Sequence, residues 1–420
     1  MTLPLDRHWK NIACLLSVEA FWGLSLSLIS MVAILPVFLS RLGATNTVIG
    51  ALPVIWLLTS SFSGLFAAHF TGGLTHRKRA VLILHAVVAV PYLVLALWFG
   101  RVERPAEWID VLVLLLGWGS SWIIMGLTIP VWINFIGKVT RPELRARSFG
   151  TIFFFQTLMG AVGGWVGSRV LGTGLPFPMN YALGFLVAAV CMSAGSLFFL
   201  PVREEAGATT EPGRALSTIA KNAREILRSP GGIRVYLLAL LLSAGRFLLI
   251  TYYPVYAQER FSLEPRDSAL YTAVFMTGQM LGSIVTGMIG DRFGYSRVAV
   301  IGMAALSLGL GLAIFGGHPA FYFATAFSLG LFFVADVLAL FNLSMAFSPH
   351  EDNTAYLGII PALVAPLSAL VAGSSGSCID RFGFIPVAWV GLAGAALALY
   401  LVVFHLPEPA YSPVKRRAST

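Results

Sequence analysis

Long apolar stretches separated by short polar turns run along almost the whole chain. Twelve of them have about 20 residues, the length that an α-helix needs to cross a bilayer. None shows the alternation over about 10 residues that is typical of a transmembrane β-strand. The pattern predicts an all-α polytopic membrane protein with twelve transmembrane helices. The predicted spans lie near residues 12–39, 46–71, 80–100, 108–137, 148–171, 179–200, 234–257, 267–290, 298–316, 319–347, 355–379 and 385–405.

A polar segment divides the predicted spans into two groups of six. Its centre, residues 214–228, has apolar residues at helical spacing and basic residues on the other faces, which predicts an amphipathic helix on a membrane surface. We expect four parts: an N-terminal six-helix half at 1–200, a linker at 201–233, a C-terminal six-helix half at 234–405 and a tail at 406–420.

Matching residues at constant offsets indicate that the two halves form two pseudo-symmetric copies of one unit. The agreement of the offsets with the span count indicates an internal duplication. An offset of 218 pairs Pro36 with Pro254, Gly72 with Gly290 and Arg79 with Arg297, and an offset of 208 pairs Asn134 with Asn342 and Gly150 with Gly358.

Basic residues are distributed unequally between the two sides of the predicted bundle. Of the 28 lysines and arginines, 20 fall on the side of the N-terminus, seven on the other side and Arg246 within a span. Because cytoplasmic loops carry the excess of positive charge, both termini, the linker and the tail are expected in the cytoplasm. The compact loops fit a bacterial inner membrane.

Composition agrees with a membrane protein. The chain is 57% hydrophobic and 11% charged, with a mean hydropathy of +0.82, whereas soluble proteins carry about 25% charged residues. The net charge of +9 is explained by basic cytoplasmic loops, so no nucleic-acid partner is expected. The first span is too long for a signal peptide and is expected to be retained.

The most polar short stretch is "GMIGDRFGYSR" at 287–297, between spans eight and nine. It resembles the signature loop of the major facilitator superfamily, and the twelve spans, two halves and central loop resemble that family over the whole chain. The resemblance implies alternating access, in which two halves rock against each other and this loop helps to close the cytoplasmic side. The implied gating residues are Gly287, Gly290, Asp291, Arg292, Gly294 and Arg297, with Arg145 and Arg147 after span four as complements.

The first copy of this loop, "HFTGGLTHRKR" at 69–79, departs from the family pattern because Gly73 occupies the aspartate position. We therefore expect the C-terminal copy to carry any acid-dependent contact.

Span five contains "GAVGGWVG" at 160–167, which predicts a close-packed helix interface. It lacks the glycine-proline pair that drug–proton antiporters of the family usually have. A drug–proton antiporter is therefore less favoured.

Three ionisable residues, Glu19, Arg246 and Asp336, lie in spans that line the central cavity in the family. A charge deep in a span costs about 2.5–3.5 kcal/mol on insertion scales, so each needs a partner, water or a function. The helical rise puts Arg246 and Asp336 at about 18 and 16 Å depth, where they can meet. Arg246 would bind an anionic substrate, with Asp336 or Glu19 as proton carrier. The alternatives are a permanent Arg246–Asp336 bridge and a Glu19 that reaches cytoplasmic water.

Polar and aromatic residues extend the faces that carry these charges. Such residues are individually more often packing or interfacial anchors. Together around a buried arginine they predict a site for a partly apolar organic molecule. The candidates are Trp22, Ser27 and Ser30 on span one, Trp118 and Trp122 on span four, Gln156 on span five, Tyr252 and Tyr253 on span seven, and Gln279 on span eight.

These features predict a secondary transporter that moves a small organic solute across a lipid bilayer. We expect it to be a monomer. An organic anion or zwitterion and proton coupling are preferred, and the direction of transport is left open. The alternatives are an efflux pump for amphiphilic drugs or lipids, favoured if the cavity is wide and mostly aromatic, and a non-transporting membrane receptor. No cofactor, metal site or enzymatic group is expected, because no ligand spacing, Walker-type loop or nucleophile–base set occurs.

Overall fold

The computed structural model describes residues 4–71, 74–101, 107–204, 221, 223–225, 227–346 and 354–405. These residues form helices joined by short turns. Of the predicted amphipathic helix at 214–228, residues 221, 223–225, 227 and 228 are described, and they are helical. Gly72, Gly73 and the tail at 406–420 lie outside the described residues.

The N-terminal helices form six successive passages through the bundle, the first two of which are divided by short breaks. Their bounds are α1 Leu5–Leu28, α2 Ile34–Arg41, α3 Asn46–Ile49, α4 Ala51–Thr71, α5 Lys78–Phe99, α6 Glu107–Val139, α7 Arg145–Leu171 and α8 Met179–Leu197.

The C-terminal helices form six further passages, and a π-helical turn at Leu248–Tyr252 divides the first of them. Their bounds are α9 Pro230–Phe247, α10 Tyr253–Phe261, α11 Pro265–Phe293, α12 Tyr295–Phe315, α13 Ala320–Ala346, α14 Thr354–Phe382 and α15 Phe384–His405. The helical passages coincide with the twelve predicted spans.

Eleven of these helices are long and apolar enough to cross a membrane, counted within the described residues. The seventh predicted span is helical at 230–261 but is not among the eleven. The π-helical turn divides it, and Arg234 and Arg246 lower the hydropathy of its longer part. The protein is an integral membrane protein with an all-α fold.

The first and seventh passages are both interrupted a few residues before the prolines that pair at the offset of 218. In the first passage, residues 29–33 break the helix before Pro36, and the Val32 amide donates to Ser30 Oγ at 3.1 Å. This bond satisfies a backbone donor that the break would leave without a partner. In the seventh passage, the π-helical turn ends at Tyr252, two residues before Pro254. The sequence predicted both passages as continuous, so the break in the first is a correction.

The N-terminal and C-terminal helices meet mainly along two contacts, α7 with α11 and α3–α4 with α14. In the first contact, a Cβ added at Gly164 would lie 2.5 Å from the Ala273 backbone nitrogen. In the second, a Cβ added at Gly376 would lie 2.3 Å from the Asn46 carbonyl oxygen. The close-packed interface predicted from "GAVGGWVG" is confirmed. We call this region, where residues 160–172 meet 266–276 and residues 46–54 meet 372–380, the closed end.

Toward their other ends, two glycines of the same two helices, α7 and α11, show no such close approach to a described residue. A Cβ added at Gly150, near the start of α7, or at Gly287, near the end of α11, would have no atom within 4 Å. We call this region, residues 145–150 and 287–297, the open end. Among the described residues, the two groups of helices therefore approach each other closely at one end of the bundle, whereas Gly150 and Gly287 have no close neighbour at the other.

Candidate functional site

A cavity of about 220 Å³ lies between the two groups of helices. Most of its lining comes from α1 and the break after it, from α4–α8 and from α11, so both groups contribute. Its lining residues are Trp22, Gly23, Leu26, Ile29, Ser30, Met31, Val32, Trp56, Val88, Tyr92, Trp118, Trp122, Met125, Gln156, Thr157, Met192, Ile250, Phe275, Met276, Gln279 and Phe333.

Four indole rings and four methionines dominate this lining, and no charged side chain is among the described residues that form it. Trp122 packs edge-on against both Trp56 and Trp118, with ring centroids 5.8 and 5.4 Å apart. The Trp118 ring is fixed because its Nε1 donates to the Leu52 carbonyl at 3.0 Å. Aromatic rings and adaptable thioethers form a surface suited to apolar organic molecules.

Two amides from opposite groups of helices provide polar groups in this lining. Gln156 lies on α7 and Gln279 lies on α11, the two helices that meet at the closed end. Ser30, Thr157 and the lining tyrosine add hydroxyl groups. A solute in the cavity can therefore exchange hydrogen bonds with neutral donors and acceptors, but it meets no formal charge from the described lining.

Glu19 is buried one helical turn before Trp22 and lies behind the cavity wall. Its side chain is 3% exposed, and Gln156 Nε2 donates to its Oε2 at 2.6 Å. The alternative in which Glu19 reaches cytoplasmic water is therefore wrong for this conformation. Since Gln156 lines the cavity, one amide connects the buried carboxyl group to the space that a solute would occupy.

Arg246 and Asp336 meet, as their predicted depths suggested. Arg246 Nη1 lies 2.9 Å from Asp336 Oδ2, with the side chains 12% and 2% exposed. Neither residue is among those that line the cavity. The arginine predicted to bind an anionic substrate is instead paired with a carboxylate in this conformation.

Several predicted site residues do line the cavity, namely Trp22, Ser30, Trp118, Trp122, Gln156 and Gln279. Others do not, and their placement is a correction. Ser27 is buried and donates to the Gly160 carbonyl at 2.6 Å, so it joins α1 to α7. Tyr252 donates to the Ala372 carbonyl at 2.6 Å, and Tyr253 packs among Tyr271, Tyr322 and Phe384. These three side chains serve helix packing.

The predicted gating residues lie together at the open end. The Tyr295 hydroxyl is 3.4 Å from Asp291 Oδ1, and the Arg292 and Arg297 guanidinium groups lie 5.1 and 5.2 Å from the Phe293 ring centre. Gly294 ends α11 with φ 93°, a backbone conformation that favours glycine. Facing them on the other group of helices, Arg145 donates to the Gly137 carbonyl at 2.7 Å, and Arg147 is exposed.

Asp380, at the end of α14, is a functional candidate that was not predicted from the sequence. Its carboxylate accepts hydrogen bonds from the backbone and side chains of Asn46 and Thr47, which begin α3. It thus makes at the closed end the kind of contact that was expected of Asp291. The available signal was the tetrapeptide "DRFG", which occurs at 291–294 and again at 380–383.

Comparisons with known proteins agree with this geometry. The sequence model of the Major Facilitator Superfamily matches residues 235–419. No curated protein sequence matches the chain. Among solved structures, a variant of the nucleoside transporter NupG has a TM-score of 0.73 at 13% identity, covering 94% of this chain and 100% of that one.

Two further solved structures have the same fold. A D-xylose–proton symporter has a TM-score of 0.70 at 16% identity, covering 95% of this chain and 98% of that one. A bacterial homologue of the human lysosomal transporter Spinster, in an inward-facing and occupied conformation, has a TM-score of 0.69 at 12% identity, covering 93% and 95%.

The fold is that of solved membrane transporters, with a cavity between the two groups of helices. Residues 235–419 match the family model of the Major Facilitator Superfamily, and the whole chain shares its fold with the solved transporters. The resemblance drawn from residues 287–297 is confirmed.

Proposed function

We propose that this protein moves a small, uncharged or amphiphilic organic solute by alternating access. The observation that carries the proposal is the cavity of tryptophan, methionine and amide side chains between the two groups of helices, with no charged group in its described lining. A wide and mostly aromatic cavity was the condition that would favour the efflux-pump alternative. This cavity has about 220 Å³ and seven aromatic residues among the 21 that line it, so the choice of solute rests on the absence of charge from the described lining. Burying an unpaired charge in such a site is costly, so an anion is the less suitable solute.

The Arg246–Asp336 pair supports the same choice. An arginine that already has a carboxylate partner at 2.9 Å offers less to a second anion than a free one would. The organic-anion hypothesis depended on Arg246, and this geometry weakens its basis. Import and export are equally compatible with the proposal.

The solute class can be tested with four probes that share one aromatic ring: ethylbenzene, acetophenone, benzylammonium and benzoate. We expect purified protein to bind acetophenone at least about tenfold more tightly than benzoate, because the described lining has no cation to compensate the carboxylate. Quenching of tryptophan fluorescence measures binding, and exchange of the tightest-binding probe in proteoliposomes measures transport. Tighter binding of benzoate would contradict the proposal and restore the organic-anion hypothesis.

A matched pair of tryptophan variants locates this binding. Trp122→Ala removes a ring from the cavity, whereas Trp165→Ala removes a ring that is 52% exposed on the outer surface of α7. We expect Trp122→Ala to weaken acetophenone binding about 3- to 10-fold and Trp165→Ala to leave it unchanged. Equal effects would place the binding outside the cavity.

We further propose that transport is proton-coupled and that Glu19 carries the proton. Glu19 is buried, has no basic partner among the described residues, and contacts the cavity through Gln156. Asp336 is less suitable because it is held by Arg246. Ionisable groups within membrane helices commonly mark such proton pathways.

Glu19→Gln should abolish proton movement while solute exchange persists, because the amide keeps the side chain's shape but cannot release a proton. A pH-sensitive dye inside proteoliposomes measures the first quantity, and exchange of labelled solute measures the second. Asp336→Asn serves as the comparison. Proton movement that survives in Glu19→Gln but is lost in Asp336→Asn would transfer the role to Asp336, provided that Asp336→Asn still exchanges solute and is therefore folded.

We propose the orientation from the distribution of charge. The basic residues of the open end, among them Arg145, Arg147, Arg292 and Arg297, would face the cytoplasm together with both termini. The structure would then correspond to a conformation that is open to the cytoplasm. The proposed setting is a bacterial inner membrane, with residues 1–200 and 234–405 as the two moving halves of a monomer.

A further inference from the structure

The tetrapeptide "DRFG" occurs twice in the C-terminal helices, and both copies make the same turn. Residues 291–294 join α11 to α12, and residues 380–383 join α14 to α15. In each copy the helix ends at the phenylalanine, the glycine has a positive φ (93° and 81°), and the arginine lies over the phenylalanine ring at 5.1 and 5.4 Å. One local structure is thus used at two places.

The two copies lie at opposite ends of the bundle. The start of α11 packs on the end of α7 at the closed end, so the end of α11, with Asp291, lies at the open end. The end of α14, with Asp380, meets the beginning of α3 at the closed end. In this one conformation, one copy of the tetrapeptide therefore lies at the open end and the identical copy lies at the closed end.

At the closed end, one carboxylate receives four hydrogen bonds from the other group of helices. The Asn46 backbone amide and Nδ2 both donate to Asp380 Oδ1 at 2.9 Å. The Thr47 backbone amide and Oγ1 donate to Oδ2 at 2.8 and 2.7 Å. Thr47 Oγ1 is also 3.1 Å from Ser377 Oγ.

The chemistry of this contact makes it strong for an exposed interaction. The amides of Asn46 and Thr47 belong to the first turn of a helix, where backbone donors have no partner within the helix. Hydrogen bonds to an ionised acceptor are about twice as strong as neutral ones, so the carboxylate is a good partner for these donors. At the open end, Asp291 is instead approached by Tyr295 of its own group of helices, at 3.4 Å.

We infer that Asp380 is a latch that holds the two halves together at the closed end. The two "DRFG" segments are then alternating latches: Asp380 is engaged in the conformation seen here, and its contact with residues 46–47 breaks when the opposite end closes. The inference rests on the proposed alternating access, but it concerns a conformational equilibrium that exists without solute. Asp380 acts by positioning the halves and not by touching the solute.

A distance measurement across the closed end tests the latch. Arg41 on α2 and Glu259 on α10 belong to different groups of helices and line one crevice of about 190 Å³ at this end. Spin labels are attached at these positions after Cys14, Cys191 and Cys378 are replaced by serine, and double electron–electron resonance gives the distance distribution in liposomes without solute. In Asp380→Asn we expect the ratio of separated to closed conformations to rise about 5- to 30-fold.

Asp291→Asn is the matched control, because it makes the same chemical change within the same tetrapeptide at the open end. It should not increase the separated population. Thr47→Val, which removes one donor and keeps the shape of the side chain, should shift the distribution in the same direction as Asp380→Asn but less, and it provides the test if Asp380→Asn does not fold. An unchanged distribution in Asp380→Asn and Thr47→Val would overturn the inference, as would equal shifts in Asp380→Asn and Asp291→Asn.

The outcome is independent of the solute hypothesis. No probe is present during the distance measurement, so a latch can be established even if acetophenone does not bind. If every variant shows the same single distance while solute exchange is active, the transport hypothesis is kept and the latch is rejected.

Discussion

Replacing Arg246 with leucine should remove most of the folded protein, and replacing Asp336 with alanine in the same chain should recover much of it. The pair is joined at 2.9 Å, and the Asp336 side chain is 2% exposed. Removing one member of a buried pair leaves an uncompensated charge, which costs about 3–5 kcal/mol. That is comparable to a large part of the stability of many proteins.

The recovery is expected because the pair is incompletely hydrogen-bonded. Asp336 Oδ1 and Arg246 Nε have no hydrogen-bond partner among the described residues. Apolar residues in place of both members therefore remove two costly buried groups as well as one ion pair. The prediction is that the double variant lies within about 1–2 kcal/mol of the wild type, whereas each single variant is much less stable.

Thermal unfolding in detergent, monitored by fluorescence and by size-exclusion chromatography, measures these differences. Arg169→Leu is the control, because Arg169 is exposed and lies over the Trp165 ring. A single Arg246→Leu variant as stable as the wild type would show that Asp336 finds another partner. A double variant as unstable as the single one would show that Arg246 has a role that Asp336 does not explain.

The sequence could predict the Arg246–Asp336 contact because charge in a membrane helix is rare and costly. Two opposite charges at similar depths on neighbouring helices have few other partners. The same reasoning could not separate Ser30 from Ser27, although both share a helical face with Glu19. One face of a membrane helix contacts both a cavity and a neighbouring helix, and only the arrangement of α1 and α7 decides which residue faces which.

The breaks in the first and seventh passages are a second feature that the sequence did not predict. Pro36 and Pro254 were recognised as equivalent, but the interruptions lie at residues 29–33 and 248–252, which contain neither proline nor glycine. Tertiary contacts, such as the bond from Tyr252 to the Ala372 carbonyl, contribute to holding such segments. The sequence indicated where equivalent elements lie without indicating where the helices are interrupted.

Asp380 is a third feature that was not predicted, although its motif is present in the sequence. The resemblance directed attention to the loop at 287–297, where the family's signature is expected. The identical "DRFG" at 380–383 follows an apolar span in the same way and could have been found by comparing the chain with itself. That Asp380 engages residues 46–47 in this conformation could not be predicted, because it depends on which end of the bundle is closed.

Adjacent glycines on α7 give the second large prediction, because they face different neighbours. A Cβ at Gly163 would lie 2.6 Å from the Leu24 carbonyl oxygen on α1, within the N-terminal helices. A Cβ at Gly164 would lie 2.5 Å from the Ala273 backbone nitrogen on α11, across the closed end. We expect Gly163→Val to lower the free energy of unfolding by about 1–3 kcal/mol or more, since α1 and α7 cannot separate without loss of the fold.

Gly164→Val should instead preserve most of the stability and shift the conformational equilibrium. The α7–α11 contact has to separate in each transport cycle, so a side chain there can be accommodated by the conformation in which the closed end opens. The spin-label distance between positions 41 and 259 should then show mainly the separated conformation, and solute exchange should fall because the cycle cannot close at this end. Gly150→Val, where an added Cβ meets no atom within 4 Å, should change neither stability nor distance. If Gly163→Val and Gly164→Val lower stability equally and leave the distance unchanged, the α7–α11 contact is a permanent part of the fold, and the movement between the halves must take place elsewhere.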